Sequence, residues 1–150
     1  MDRYISIVKS GSILVEPDIP DLERWCTGLG EKNYPFVRHI GGVSLFDFNG
    51  FNWRSYSEKY TLSSWSSFVP KQKDWAYTVW LKIDKEKIKN NFIDGAALLK
   101  RWKSEYKFNH NIMPLIECAH IGDLPITSCS SVLVYDDSLQ KFTQLNQAHG

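Results

Sequence analysis

The chain has no apolar run approaching the roughly 20 residues that a membrane-spanning helix requires, so no membrane span is expected. It is short of cysteine. Cys26, Cys118 and Cys129 are an odd number without CxxC spacing, which argues against a disulfide framework and for a reducing compartment. It also lacks an excess of either charge. Eighteen Lys and Arg stand against 17 Asp and Glu, a net charge of +1, so no global electrostatic argument favours nucleic acid or acidic lipid as a partner. There is no internal repeat and no low-complexity tail, and the polar opening Met1-Asp2-Arg3 does not read as a secretory leader. A soluble, cytoplasmic chain with no membrane partner is the expectation. At 150 residues it suits a single domain, 1–150, with one sizeable core.

What is present is mostly β-type sequence punctuated by glycine and proline. Arg3-Tyr4-Ile5-Ser6-Ile7-Val8 and Ile13–Val15 read as short strands. Pro17 to Asp21 breaks the pattern before Leu22–Cys26, which reads as one or two helical turns ending at Gly28 and Gly30. Residues Phe36 to Ile40 and Val43 to Phe48 are β-type on either side of Gly41-Gly42. The run Ala76–Ile83 reads as a central strand, with Asp84 as N-cap of a helix opening at Lys85. Asp94 caps a second helix whose Leu98, Leu99, Trp102 and Tyr106 form an apolar stripe facing the core, with Lys100, Arg101 and Lys103 on the solvated side. Between them, Asn49 to Asp74 interleaves small polar residues with Phe51, Trp53, Tyr56, Tyr60, Trp65 and Phe68. A loop of that length is usually functional or contains short helices of its own.

The most informative segment is Leu115-Ile116-Glu117-Cys118-Ala119-His120-Ile121-Gly122-Asp123-Leu124-Pro125-Ile126. It sets one carboxylate inside an otherwise apolar strand and follows it with a Gly/Pro turn, after which Ser131–Tyr135 resumes as a further strand. An unpaired buried charge is costly, so Glu117 must be solvated at a cleft, paired, or held for chemistry. His110, Cys118, His120 and Cys129 are the candidate zinc ligands, but their spacing matches no compact ligand pair, and no metal site is expected.

Glu117 with the turn Gly122-Asp123-Leu124-Pro125 resembles the catalytic-glutamate strand and following Gly-x-(Ile/Val/Leu)-Pro turn of the ADP-ribosyltransferase-like superfamily. Gly41-Gly42-Val43-Ser44-Leu45-Phe46 resembles that superfamily's serine strand. Arg3 with the following Gly11-Ser12-Ile13 is similar to its opening basic residue, and Arg38 and His39 stand ready as alternatives. The resemblance implies an α+β fold with a mostly antiparallel, split or twisted sheet and one or two packed helices. It implies NAD as substrate, Glu117 as the catalytic carboxylate, Ser44 with Arg3, Arg38 or His39 around the dinucleotide, and a macromolecular acceptor, protein or nucleic acid. The chemistry is coherent, because cleaving the nicotinamide bond develops oxocarbenium charge that a carboxylate stabilises, while an arginine fork matches a pyrophosphate. Two other readings stand beside it. One is a non-catalytic interaction protein of immunity or inhibitor type, binding through the aromatic-rich loop. The other is a single-stranded nucleic-acid binder using the same aromatics.

Overall fold

A computed structural model of the chain describes residues 2–24, 29–61 and 75–145. The class is α+β, with antiparallel sheets and several helices. Among the described residues, eight strands make three sheets: β1 (Ser12–Ile13) with β6 (Leu124–Pro125); β2 (Gly42–Phe46), β5 (Glu117–Ile121) and β4 (Phe92–Ile93) in the order β2-β5-β4; and β3 (Tyr77–Ile83), β7 (Cys129–Asp136) and β8 (Lys141–Leu145) in the order β3-β7-β8. Every pairing is antiparallel. Within the described residues, β2 and β3 are each the edge of their sheet. Among those residues, no helix is long and apolar enough to cross a membrane.

Two expected strands are helices. Arg3 lies not on a strand but in the helix Asp2–Ser10. Tyr4 and Ile7, three residues apart, are its half-buried positions, and Asp2 and Lys9 sit at the ends that suit their charges. Ser6 and Ser10 bond back to the carbonyls of Asp2 and Ile7, so the local period outweighs the β-branched composition. The segment read as β-type from Phe36 is likewise a short helix, Phe36–His39, opened after Pro35 and closed by Gly41 at φ 74°. It drives Phe36 and Val37 fully into the core.

The helix Gly95–Ser104 forms as expected, with the Asp94 carboxylate accepting from Ala97 N–H at 2.8 Å. Leu98 is buried and Trp102 packs beside it on a cluster of Phe36, Val37, Ile112 and Ala119. Tyr106 departs from the predicted stripe. The helix stops at Ser104 and Tyr106 turns to φ 53°, leaving the residue 77% exposed. A second cluster joins Tyr56, Met113 and Ile116 to Phe46, Phe48, Phe51 and Tyr60.

Candidate functional site

The register of β2 against β5 brings Ser44 and Glu117 together. Phe46 pairs with Glu117 and Ser44 with Ala119, so on strands of period two the serine and the glutamate are diagonal neighbours on one face. The Ser44 hydroxyl donates to Glu117 Oε1 at 2.7 Å. The other oxygen, Oε2, accepts the Met113 backbone N–H at 2.8 Å. Glu117 is 1% exposed. Burial pushes its carboxyl up to about 7, and the Met113 and Ser44 hydrogen bonds only partly offset that.

The support behind Glu117 is a tight turn. Glu117 N–H donates to Met113 carbonyl at 3.0 Å, and Leu115, between them, takes φ 65° without being glycine. Gly95 permits this, because a Cβ there would stand 2.0 Å from the Leu115 carbonyl oxygen. On the other side the buried Tyr56 hydroxyl donates to the Pro114 carbonyl at 2.9 Å. Burial raises the Tyr56 hydroxyl, with Tyr60 and Glu117 adding to the effect.

In front of Ser44 lies a cleft of about 1120 Å³. Its walls are the edge strands β2 and β3, with Phe46, Phe48 and Trp80 as aromatic surface and the helix carrying Tyr4 and Ile7 across from them. Ser44 is exposed within it, whereas Glu117 is not a lining residue and stands directly behind the serine. The volume lies somewhat above the range of about 300–1,000 Å³ usual for small-molecule sites.

The Gly122–Pro125 turn pins the N-terminal segment rather than entering the cleft. Gly122, at φ 81°, donates to the Gly41 carbonyl at 2.9 Å, and β6 pairs with β1. The Asp123 carboxylate accepts from Val15 N–H at 2.8 Å. That places Glu16, which receives the Arg38 fork through Nε and Nη2, both at 2.7 Å. Arg38 Nη1 reaches Asp21 at 2.8 Å, its guanidinium lies 3.4 Å from the centre of the Tyr34 ring, and Arg24 donates to Glu16 at 2.6 Å. The Arg38 guanidinium holds Glu16 and Asp21 below the usual carboxylate range.

The three basic candidates therefore stand differently. Arg3 and Arg38 both line the Ser44 cleft. The Arg3 side chain is 55% exposed, with a weak 3.5 Å contact to Glu23, while Arg38 already spends its fork on a carboxylate. His39 is absent from that cleft's lining and belongs to a separate hollow of about 550 Å³ with Glu16, Glu31, Tyr34 and Arg38. It stacks on His110 at 4.0 Å, and burial with that neighbour lowers its basicity.

The remaining candidates disperse. His110 meets the Tyr34 carbonyl, Cys118 and His120 sit on β5, and Cys129 bonds to the Ser131 carbonyl. Among the described residues no three His, Cys, Asp or Glu side chains are grouped to hold a metal. Cys26, Trp65 and Phe68 lie outside the described residues. The first half of the aromatic loop is a helix, Trp53–Lys59, capped by the Asn52 side chain. It delivers Tyr56, with Phe51 and Tyr60, into the core behind Glu117 and leaves Trp53 56% exposed.

Sequence reasoning missed Met113, Tyr56 and Gly95 as parts of this arrangement. A backbone N–H carries no side-chain signature, and a left-handed leucine looks like any other. The one trace was a glycine placed directly after the helix cap Asp94, where helix propensity alone would prefer another residue. Comparison with known proteins returned no match to a protein family, a curated protein or a solved structure.

Proposed function

We propose that the chain is an ADP-ribosyltransferase-like enzyme that takes NAD into the β2/β3 cleft and transfers its ADP-ribose to a macromolecular acceptor. The observation that carries this reading is the 2.7 Å bond between the cleft-exposed Ser44 hydroxyl and the buried Glu117 carboxylate. Two residue types expected from separate stretches of sequence meet in one hydrogen bond, with the carboxylate fixed from behind by Met113 N–H.

In this reading the nicotinamide ribose rests against Ser44, and the negative charge of Glu117 lies behind the developing oxocarbenium ion. The carboxylate is buried, so that charge acts through a lower dielectric and counts for more than it would in water. A carboxyl raised to about 7 by burial also accepts a proton passed on by the Ser44 hydroxyl, which takes up the acceptor's own proton as the glycosidic bond breaks. Phe46, Phe48 and Trp80 offer faces for the nicotinamide or adenine ring. Arg3, exposed at the cleft, suits the pyrophosphate, whereas Arg38 would have to surrender Glu16 to do so.

Thermal denaturation with NAD tests the binding step. At a hundredfold excess over its dissociation constant, a ligand that binds only the folded chain adds about 2.7 kcal/mol, or roughly 5–10 °C in Tm for a chain of this size. Arg3→Ala should shrink the shift while leaving the unliganded Tm unchanged. No shift with NAD, nicotinamide or ADP-ribose would count against the transferase and for the interaction-protein reading, in which Trp53 is the exposed anchor.

A further inference from the structure

We propose that Ser44 is itself an acceptor, so that the chain ADP-ribosylates its own Ser44 hydroxyl. The inference rests on the transferase reading and adds the identity of the nucleophile. Of the pair, only the serine is exposed in the cleft, since Glu117 is 1% exposed and stands behind it. Any electrophile in the cleft therefore meets Ser44 Oγ before it meets the carboxylate.

The arrangement has the three parts of an activated nucleophile. The hydroxyl donates to a base, Glu117 Oε1, at 2.7 Å. The base is oriented by a third group, Met113 N–H, at 2.8 Å from Oε2. That third group is held in turn by the Met113–Glu117 turn and the Tyr56 bond to Pro114. Burial raises the affinity of the carboxylate for a proton, which makes it a stronger base than a surface glutamate. Thr78 is the other aliphatic hydroxyl lining the cleft among the described residues, and its Oγ1 accepts from Trp80 Nε1 at 2.9 Å instead of facing a carboxylate.

The step balances without a further reactant. Ser44 Oγ bonds to the anomeric carbon of the nicotinamide ribose, and the bond from that carbon to the pyridinium nitrogen breaks. The bonding pair leaves on nicotinamide, which departs neutral, and the hydroxyl proton passes to Glu117 Oε1. The positive charge of the pyridinium and the negative charge of the carboxylate disappear together. The product is an O-glycosidic ADP-ribosyl serine.

The test incubates the full chain with NAD, follows nicotinamide release, and maps the modified residue by peptide mass spectrometry. One ADP-ribose per chain on Ser44 is expected. It should resist neutral hydroxylamine, which strips ADP-ribose esters from Asp and Glu, and its rate per chain should not depend on protein concentration. In Glu117→Gln the hydroxyl remains, and the rate should fall at least about a hundredfold. Nicotinamide release with Ser44 unmodified, the label appearing on another residue or as free ADP-ribose, overturns the assignment of Ser44 and leaves the transferase reading standing. No nicotinamide release from the wild-type chain alone, with release once a cell lysate supplies acceptors, overturns the assignment of Ser44 and leaves the transferase reading standing; no release with the lysate either overturns both.

Discussion

Replacing Glu117 by glutamine should stabilise the protein above neutral pH and do so progressively less as the pH falls. In the unfolded chain this carboxyl titrates at its ordinary value of 4.5, whereas burial holds it near 7 in the fold. Between those values the native state binds the proton that the unfolded state has released. Stability therefore falls as pH rises from about 4.5 to 7 and levels off above it. The displacement corresponds to roughly 3 kcal/mol of stability withheld at pH 8. Glutamine fills the same volume, its carbonyl can accept the Met113 N–H, and its amide can donate to a rotated Ser44 hydroxyl, so the neutral side chain satisfies both partners. The advantage of Glu117→Gln over wild type should then approach about 3 kcal/mol at pH 8 and vanish near pH 4.5. His39, whose basicity is lowered, biases stability in the opposite sense near neutrality, but it titrates alike in both proteins and cancels in the difference. Urea unfolding of the two proteins at pH 5, 6, 7 and 8 measures this directly. A difference that does not change with pH would mean that Glu117 is not a buried carboxyl perturbed in this way.

The turn that presents Glu117 makes further predictions. Gly95→Ala sets a Cβ 2.0 Å from the Leu115 carbonyl oxygen and should cost on the order of 3 kcal/mol in urea unfolding, far more than the usual gain of alanine over glycine in a helix. Tyr56→Phe leaves the Pro114 carbonyl without its buried donor and should cost about 1–2 kcal/mol; an unchanged unfolding midpoint would remove Tyr56 from the support of the site. Arg38→Lys keeps the charge but loses the fork onto Glu16 and the stacking on Tyr34, and Tm should drop by a few degrees.

The parts of this fold that the sequence carried are those written in side chains at fixed spacing. Asp84 and Asp94 begin helices because short carboxylates satisfy the first backbone donors, and Tyr77–Ile83 is a strand because its β-branched and aromatic residues suit one. Ser44 and Glu117 each read as strand residues, but only the resemblance put them together, and the register that joins them was contained in neither reading. The errors were short apolar runs. Arg3–Val8 and Phe36–Ile40 each offer too few residues for composition to separate helix from strand, and the deciding features were a three-residue period in one and flanking Pro35 and Gly41 in the other. Tyr106 was lost from the core by a left-handed residue that no composition announces. The Arg38 network was invisible because its partners, Glu16 and Asp21, come from an irregular stretch that is positioned only when β1 pairs with β6.

Release of nicotinamide measures most directly whether the Ser44–Glu117 pair performs chemistry on NAD. Wild type and Glu117→Gln, matched for folded fraction, would be incubated with NAD and a cell lysate that supplies acceptors, with nicotinamide quantified over time. Wild type should release nicotinamide and the variant at least about a hundredfold less, with NAD affinity nearly unchanged. Equal release by the two proteins, or none by wild type, would contradict chemistry by this pair.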